Sequence, residues 1–201
     1  MTPSASRSIP HLLAFGDSLT AGFGLPPHSS FTAQLQNRLE TLGHRVDIAN
    51  RGISGDTTAG GLARLDSALQ DKPDCVLLEL GTNDALMGLP LSGIETNLDR
   101  LIQRCLNSQC RVLLAGVDLS AVLGHEYGSS LNRVYVGLAE RYGLSLHPDF
   151  LAGVVGQPEL TLIDGVHPSE QGVARMVEAI RDRVIRLISP IPNTQRCQRL
   201  R

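Results

Sequence analysis

The sequence predicts an α/β fold, a parallel five-stranded sheet with helices on both faces in a three-layer α/β/α sandwich. Three observations carry that expectation. Short apolar runs bounded by turn formers alternate with segments whose apolar residues recur at helical spacing. The strongest runs are continuously apolar, as in strands covered on both faces. Strands one, three and four each end in small and polar residues, which right-handed crossovers would gather along one edge of the sheet.

The first strand is Leu12-Leu13-Ala14-Phe15, and it runs into Gly16-Asp17-Ser18-Leu19-Thr20-Ala21-Gly22. A loop rich in Gly, Pro and Ser, 22–30, precedes a helix from Phe31 to Leu42 with Phe31, Leu35, Leu39 and Leu42 on one face and Gly43 as its C-cap. Arg45 to Asn50, with Val46 and Ile48 alternating against polar neighbours, is the second strand. The small-residue loop Gly52 to Thr57 then leads into a helix through Leu62, Leu65 and Leu69 that Pro73 closes. Cys75 to Leu80 reads as the central strand, with Gly81-Thr82-Asn83-Asp84 at its tip. The loop 85–93 holds two Gly and a Pro and is expected to be a mobile lid. Ile94 to Leu106 is a helix, Arg111 to Val117 a strand, Asp118 to Gly128 a loop, and Ser129 to Tyr142 a helix capped near Ser129 or Ser130. Leu144 to Leu146 is the fifth strand. The last helix starts near Pro168 and runs to about Ile188, stopped by Pro190 and Pro192.

A chain of 201 residues is long enough for one domain with a full core and short for two, so residues 1–201 are read as one domain with a core of 11–188 and flexible tails at 1–10 and 189–201. A formal net charge of -2 offers no electrostatic reason to expect nucleic acid. Nowhere does the sequence hold the run of about 18 apolar residues that spans a bilayer, and residues 1–10 lack the apolar core of a signal peptide. The expected location is cytoplasmic for the chain as it stands, or periplasmic or secreted if a signal peptide has been removed. A monomer and a weak dimer both remain open. Four cysteines, none in a C-x-x-C pair, exclude a disulfide scaffold and argue against a metal site. Cys75 reads as a core residue and Cys197 lies in a polar tail. Cys105 and Cys110 flank a helix-to-strand loop, which leaves a bridge between them open.

Ligands bind outside the carboxyl ends of the strands in open α/β sheets, so Ser18 is a candidate nucleophile by position. A serine hydroxyl needs a general base and, behind it, a group that fixes the tautomer of that base. Asp164-Gly165-Val166-His167-Pro168 offers both, because an Asp three residues before a His can fold back onto Nδ1 and leave Nε2 for a serine. His11, His28, His44, His125 and His147 have no such neighbour and read as surface residues. The oxyanion of acyl transfer needs donors. Gly55 can present a bare backbone N–H, Asn83 its side-chain amide, and Ser18 its own N–H. Each residue also has a plain structural reading: Ser18 or His167 as a cap, Gly55 as a turn glycine, Asn83 as an Asx-turn residue. Asp17 and Asp84 read as scaffolding, since neither a D-x-D nor a second acidic cluster for Mg²⁺ accompanies Asp17.

The combination is more specific than its parts. Gly16-Asp17-Ser18-Leu19, Gly52-x-Ser54-Gly55-Asp56, Gly81-Thr82-Asn83-Asp84 and Asp164-Gly165-Val166-His167-Pro168, in that order, resemble the SGNH, or GDSL, hydrolase family over Leu12 to about Leu187. Ile53-Ser54-Gly55-Asp56-Thr57, Gly61-Leu62-Ala63-Arg64-Leu65 and Leu78 to Asp84 are most similar to its thioesterase I, arylesterase and lysophospholipase subgroup. The resemblance implies Ser18 as nucleophile, Asp164 and His167 as acid and base, and Gly55 and Asn83 with the Ser18 amide as oxyanion donors. It also implies a flavodoxin-like strand order 2-1-3-4-5, chemistry without metal or cofactor, and a shallow acyl groove beside the loop 22–30. Thr82 stands where the subgroup usually has a second glycine, and Ser120 where relatives tend to have a proline; both fall near the expected groove.

The expected function is hydrolysis of carboxylic esters through an acyl-enzyme. The substrate is expected to be a small aryl or short- to medium-chain acyl ester, with acyl thioesters and lysophospholipids as further members. A carbohydrate O-deacetylase of the same fold is the alternative. A flavin- or nucleotide-binding module is a rival of another class, but Gly22-Phe23-Gly24 lacks the third glycine of a dinucleotide fingerprint and no phosphate-binding G-x-x-x-x-G-K-[ST] is present.

Overall fold

Five parallel strands build the sheet in the computed structural model, which describes residues 9–189: β1 (His11–Gly16), β2 (Asp47–Gly52), β3 (Cys75–Glu79), β4 (Arg111–Ala115) and β5 (Ser145–His147). Their order is β2-β1-β3-β4-β5, as the family resemblance implies. β3 is buried along its whole length and β1 at all but His11, which is why they read as continuous apolar runs. β2 and β5 lie at the edges, and β2 is exposed or half-buried throughout. From β1 the chain steps outward to β2, then crosses to the other side of β1 to lay down β3. The crevice at the carboxyl ends of β1 and β3 is therefore the topological switch point, the place in such a sheet where ligands bind.

Eight helices accompany the strands among the described residues: α1 (Ser18–Ala21), α2 (Phe31–Thr41), α3 (Thr58–Leu69), α4 (Thr82–Leu86), α5 (Leu91–Asn107), α6 (Ser120–Leu123), α7 (His125–Tyr142) and α8 (Glu170–Ile188). α2 packs with α8, α3 with α5, and α5 with α7. The long ones start at side-chain caps where the residue type allows: Ser30 accepts from the Ala33 N–H, Thr57 from Gly60 and Ser169 from Gly172. Their apolar stripes, such as Ile94, Leu98, Leu101, Ile102 and Cys105 of α5, meet the sheet, each large buried side chain contributing about 1.5–3 kcal/mol.

Several boundaries differ from the expectation. The second strand is 47–52 rather than 45–50, because its register is set by β1, His11 opposite Asp47 through Gly16 opposite Gly52. The turn between β1 and the loop 22–30 is the short helix α1. The segment 85–93 is largely taken by the ends of α4 and α5, leaving only 87–90 between them. α6 occupies part of the expected loop 118–128, and α7 begins at His125 rather than Ser129; Ser130, expected near a cap, bonds the Glu126 carbonyl inside the helix at 2.8 Å. Gly128 misled because its purpose is contact rather than a turn: a Cβ there would stand 2.6 Å from Ser120 Cα.

His147 is a correction of a different kind. Expected on the surface, it is 4% exposed at the end of β5, because the chain turns there into 148–157 and Phe150 packs edge-on against the ring. His28 and His125 are exposed, and His11 and His44 are half-buried. Cys105 and Cys110 are buried as separate thiols, the latter donating to the Pro73 carbonyl at 3.2 Å. No helix among the described residues is long and apolar enough to cross a membrane. The expected tails, apart from residues 9, 10 and 189, lie outside the described residues, and so do Pro190, Pro192 and Cys197.

Candidate active site

β1 ends at Gly16 and hands the chain to α1, whose N-cap is Asp17: its Oδ1 accepts the Leu19 N–H at 3.0 Å. Ser18, 8% exposed, is the first residue of that helix, so its own N–H has no intrahelical acceptor. The cap thus turns a strand end into a serine with its hydroxyl and its amide at the switch point.

His167 comes from the loop before α8. Its Nε2 lies 3.0 Å from Ser18 Oγ, and its Nδ1 lies 2.7 Å from Asp164 Oδ2. The other Asp164 oxygen accepts the N–H groups of Val166 and His167, each at 2.9 Å. Those bonds, the Val166 amide first and then the His167 ring, hold the Asp164 carboxyl down at about 2. A carboxylate that stays ionised requires a proton on Nδ1, which leaves the Nε2 lone pair to accept from Ser18. The loop itself is pinned by the Leu162 N–H bonding the His167 carbonyl at 2.7 Å.

The oxyanion candidates lie on three loops that are tied together. Asn83 Nδ2 donates to Asp17 Oδ2 at 3.0 Å and to the Asp56 carbonyl at 2.9 Å, linking the ends of β1 and β3 to the loop after β2. Both amide hydrogens are therefore engaged with protein in this state, and an oxyanion would have to share one of them. Gly55 stands one residue before the Asp56 carbonyl in an exposed turn with φ +79°, a backbone that glycine adopts without strain. Asp17 and Asp84 both bond neighbouring backbone and side chains. Asp84 takes the Thr58 N–H at 2.8 Å and the Thr58 hydroxyl at 2.5 Å, fixing the start of α3. Burial pushes the Asp17 carboxyl up to about 6, against the opposing pull of the Leu19 amide.

Two residues escaped the sequence reading. Phe23, about half exposed, lays its ring 4.4 Å from the His167 ring at 37° and backs the imidazole. Its only signal was an aromatic in the glycine-rich loop after the serine. Arg64 lies in the Gly61-to-Leu65 motif, which gives it no role by itself. Its Nε bonds Asp56 Oδ2 at 2.7 Å, its other nitrogens bond the Arg51 carbonyl at 2.7 Å and the Gly16 carbonyl at 2.9 Å, and its guanidinium covers Phe15 at 3.9 Å. One side chain thereby joins the ends of β1 and β2 to the Gly55 turn.

A cavity of about 530 Å³ opens between Leu91 of α5 and Leu123, His125, Glu126, Tyr127 and Ser130 of α6 and α7. These segments follow the carboxyl ends of β3 and β4. Thr82, buried with no partner for its hydroxyl among the described residues, and Ser120, whose N–H bonds Asp118 at 2.8 Å, stand in those same connections. The described residues contain no cluster of three or more His, Cys, Asp or Glu that could hold a metal ion.

A doubly wound sheet with a serine, an imidazole and a carboxylate in hydrogen-bonded series at its switch point defines a class, the hydrolases. More particularly, the chain belongs to the GDSL-like lipase/acylhydrolase family, which matches residues 14–175. By that membership it is a carboxylic ester hydrolase. It is 36% identical over 184 residues to an arylesterase of Vibrio mimicus, covering 91% of this chain and 92% of that one. To the thioesterase 1/protease 1/lysophospholipase L1 of Escherichia coli (strain K12) it is 34% identical over 159 residues, covering 79% of this chain and 75% of that one. The crystal structure of TesA superposes with a TM-score of 0.85 at 37% identity, covering 88% of this chain and 99% of that one.

Proposed function

We propose that the chain hydrolyses aryl and short- to medium-chain acyl esters, and acyl thioesters, through an acyl-enzyme on Ser18. The observation that carries this reading is the unbroken series from Ser18 Oγ through His167 to Asp164, at 3.0 and 2.7 Å. Ser18 Oγ attacks the acyl carbon while its proton passes to His167 Nε2. The carbonyl π pair moves to oxygen, and the Ser18 amide, Gly55 and Asn83 hold that oxyanion, each donor being worth roughly 3 kcal/mol of barrier. The intermediate collapses, the bond to the alcohol or thiol breaks, and the leaving group takes the proton from Nε2. Water then attacks the acyl-enzyme, with His167 taking its proton and returning it to Ser18. Asp164 stays ionised throughout and stabilises the imidazolium.

Two features support an apolar acyl or aryl group. The connections that follow the strands' carboxyl ends carry exposed Phe23, Ile53, Met87, Val122 and Val166, and the cavity in the α5–α7 region has Leu91, Leu123 and Tyr127 among its lining, with His125, Glu126 and Ser130 as polar members. The names of the Vibrio and Escherichia relatives, arylesterase and thioesterase, agree with that surface.

The test is turnover of p-nitrophenyl butyrate and an acyl thioester, with acetylated xylan in parallel, by wild type and Ser18→Ala. Ser18→Ala is expected to lose at least about 10³-fold in kcat and to resist labelling by a fluorophosphonate that marks Ser18 in the wild type. Undiminished turnover in the variant would sink the assignment, and preference for the xylan would replace the substrate class.

A further inference from the structure

Glu79 is the last residue of β3, opposite Gly16 in register, and it is fully buried. Its Oε2 accepts the Thr20 hydroxyl at 2.9 Å and the Asp17 N–H at 3.3 Å, while Oε1 has no partner among the described residues. A carboxyl in the core is destabilising unless it is fully bonded, and its neighbours Leu77, Leu78 and Leu80 show that apolar side chains suit the strand. Room is nonetheless made for it. A Cβ on Gly16 would stand 2.5 Å from Glu79 Oε2, 2.6 Å from the Glu79 carbonyl oxygen and closer still to Thr20 Oγ1, so the bare glycine that precedes Asp17 and Ser18 leaves the space that this carboxyl, its own backbone and Thr20 share.

The bonds of Glu79 lead to the site. Thr20 and the Asp17 amide both belong to the turn that presents Ser18, and the Asp17 carboxyl runs on to the Asn83 amide at 3.0 Å. We propose that Glu79 is a positioning residue for ester hydrolysis: it fixes the turn at Asp17 and Thr20, and through Asp17 it aims the Asn83 amide at the developing oxyanion. This inference rests on the hydrolase reading above.

The carboxyls of Glu79 and Asp17 feel each other. Burial, then the charge of Asp17, raises the Glu79 carboxyl well above the usual carboxylate range. The buried Tyr135 feels both carboxyls, and Asp17 is also faced by Asp56 and His167. Burial thus disfavours a charge on Glu79, and its neutral form leaves the charge on Asp17, where Leu19 and Asn83 donate to it. Glutamine is the isostere of that neutral form and keeps an acceptor oxygen for Thr20 and the Asp17 N–H.

The experiment is a double-mutant cycle on p-nitrophenyl butyrate hydrolysis, with Glu79→Ala and Glu79→Gln each made in the wild-type and Asn83→Ala backgrounds. Inhibition by phenylboronic acid, which becomes tetrahedral on Ser18, is read alongside. Glu79→Ala is expected to lower kcat about 10- to 100-fold with KM within about twofold, to weaken boronate inhibition in step, and to have less than about twofold effect once Asn83 is absent. Glu79→Gln is expected to recover kcat to within about fivefold of wild type. The proposal is overturned by an unchanged kcat in Glu79→Ala, by an equal loss in both backgrounds, by a loss confined to KM, or by a Gln variant as impaired as Ala. Should Glu79→Ala fail to fold, Thr20→Val removes the hydroxyl on Oε2 and carries the same expectation, a loss of kcat that vanishes in Asn83→Ala; an additive loss refutes it. Failure of the hydrolase reading would show separately, as turnover that survives Ser18→Ala.

Discussion

His147 makes the stability of this fold depend on acid in a way that can be worked through. It is 4% exposed, and neither ring nitrogen has a partner among the described residues. Burial first, and the charge of Arg183 second, pull its pKa from the ordinary 6.5 down to about 4. The unfolded chain therefore takes up a proton at this residue before the folded chain does, so falling pH favours unfolding. The effect is absent above about pH 7, grows through pH 6.5 and levels off below pH 4. At about 1.4 kcal/mol per pH unit it amounts to about 3 kcal/mol, with most of it present by pH 4.5. That is a large share of the 5–15 kcal/mol typical of a domain. Asp17 has the opposite sign: its carboxyl, raised from 3.8 to about 6, binds its proton first in the folded state, so its contribution is lost as pH rises through that range. The wild-type curve sums these with the other shifted carboxyls, Glu79 and Asp164 among them, whereas a comparison with His147→Leu cancels them all. Urea melts at pH 7 and pH 4.5 should show wild type losing about 2–3 kcal/mol more than His147→Leu between the two conditions. Equal losses would refute the argument.

Asn83→Ala should lower kcat by about 10²–10³-fold, and because the amide also ties Asp17 Oδ2 to the Asp56 carbonyl, it should cost about 1–3 kcal/mol of stability as well. Ester turnover and a thermal melt check the two halves, and wild-type kcat would remove Asn83 from the site. Gly16→Ala should destabilise by at least about 1–3 kcal/mol, since its methyl group would collide with Thr20 Oγ1 and Glu79 Oε2. A melting temperature equal to wild type would show that the turn has slack that the geometry does not suggest.

Much of this was legible in the chain because the information is local. The apolar runs of β1, β3 and β4 announce strands buried on both faces, and the stripes of α2, α5 and α8 announce helices packed against them. Asp164 and His167 are three residues apart, so their bond follows from a short loop. The four blocks point to Ser18, Gly55, Asn83 and the Asp-His pair from residue type and order alone, and the family they resemble is the family that matches.

Only the tertiary structure decided the rest, for reasons that are physical rather than statistical. Ser18 and His167 are 149 residues apart, and no spacing along the chain brings them to 3.0 Å; the reversal of strand order between β1 and β3 provides the crevice, and the loop before α8 delivers the histidine into it. Burial of His147 depends on the turn after a three-residue edge strand, and the start of α7 on a glycine that serves packing. Phe23 against His167, Arg64 across three loops, and Glu79 beneath Asp17 are contacts between distant segments. The sequence by itself determined which chemical groups the protein owns and the order of its elements. The fold decided which of those groups touch, because hydrogen bonds and desolvation act through space and not along the chain.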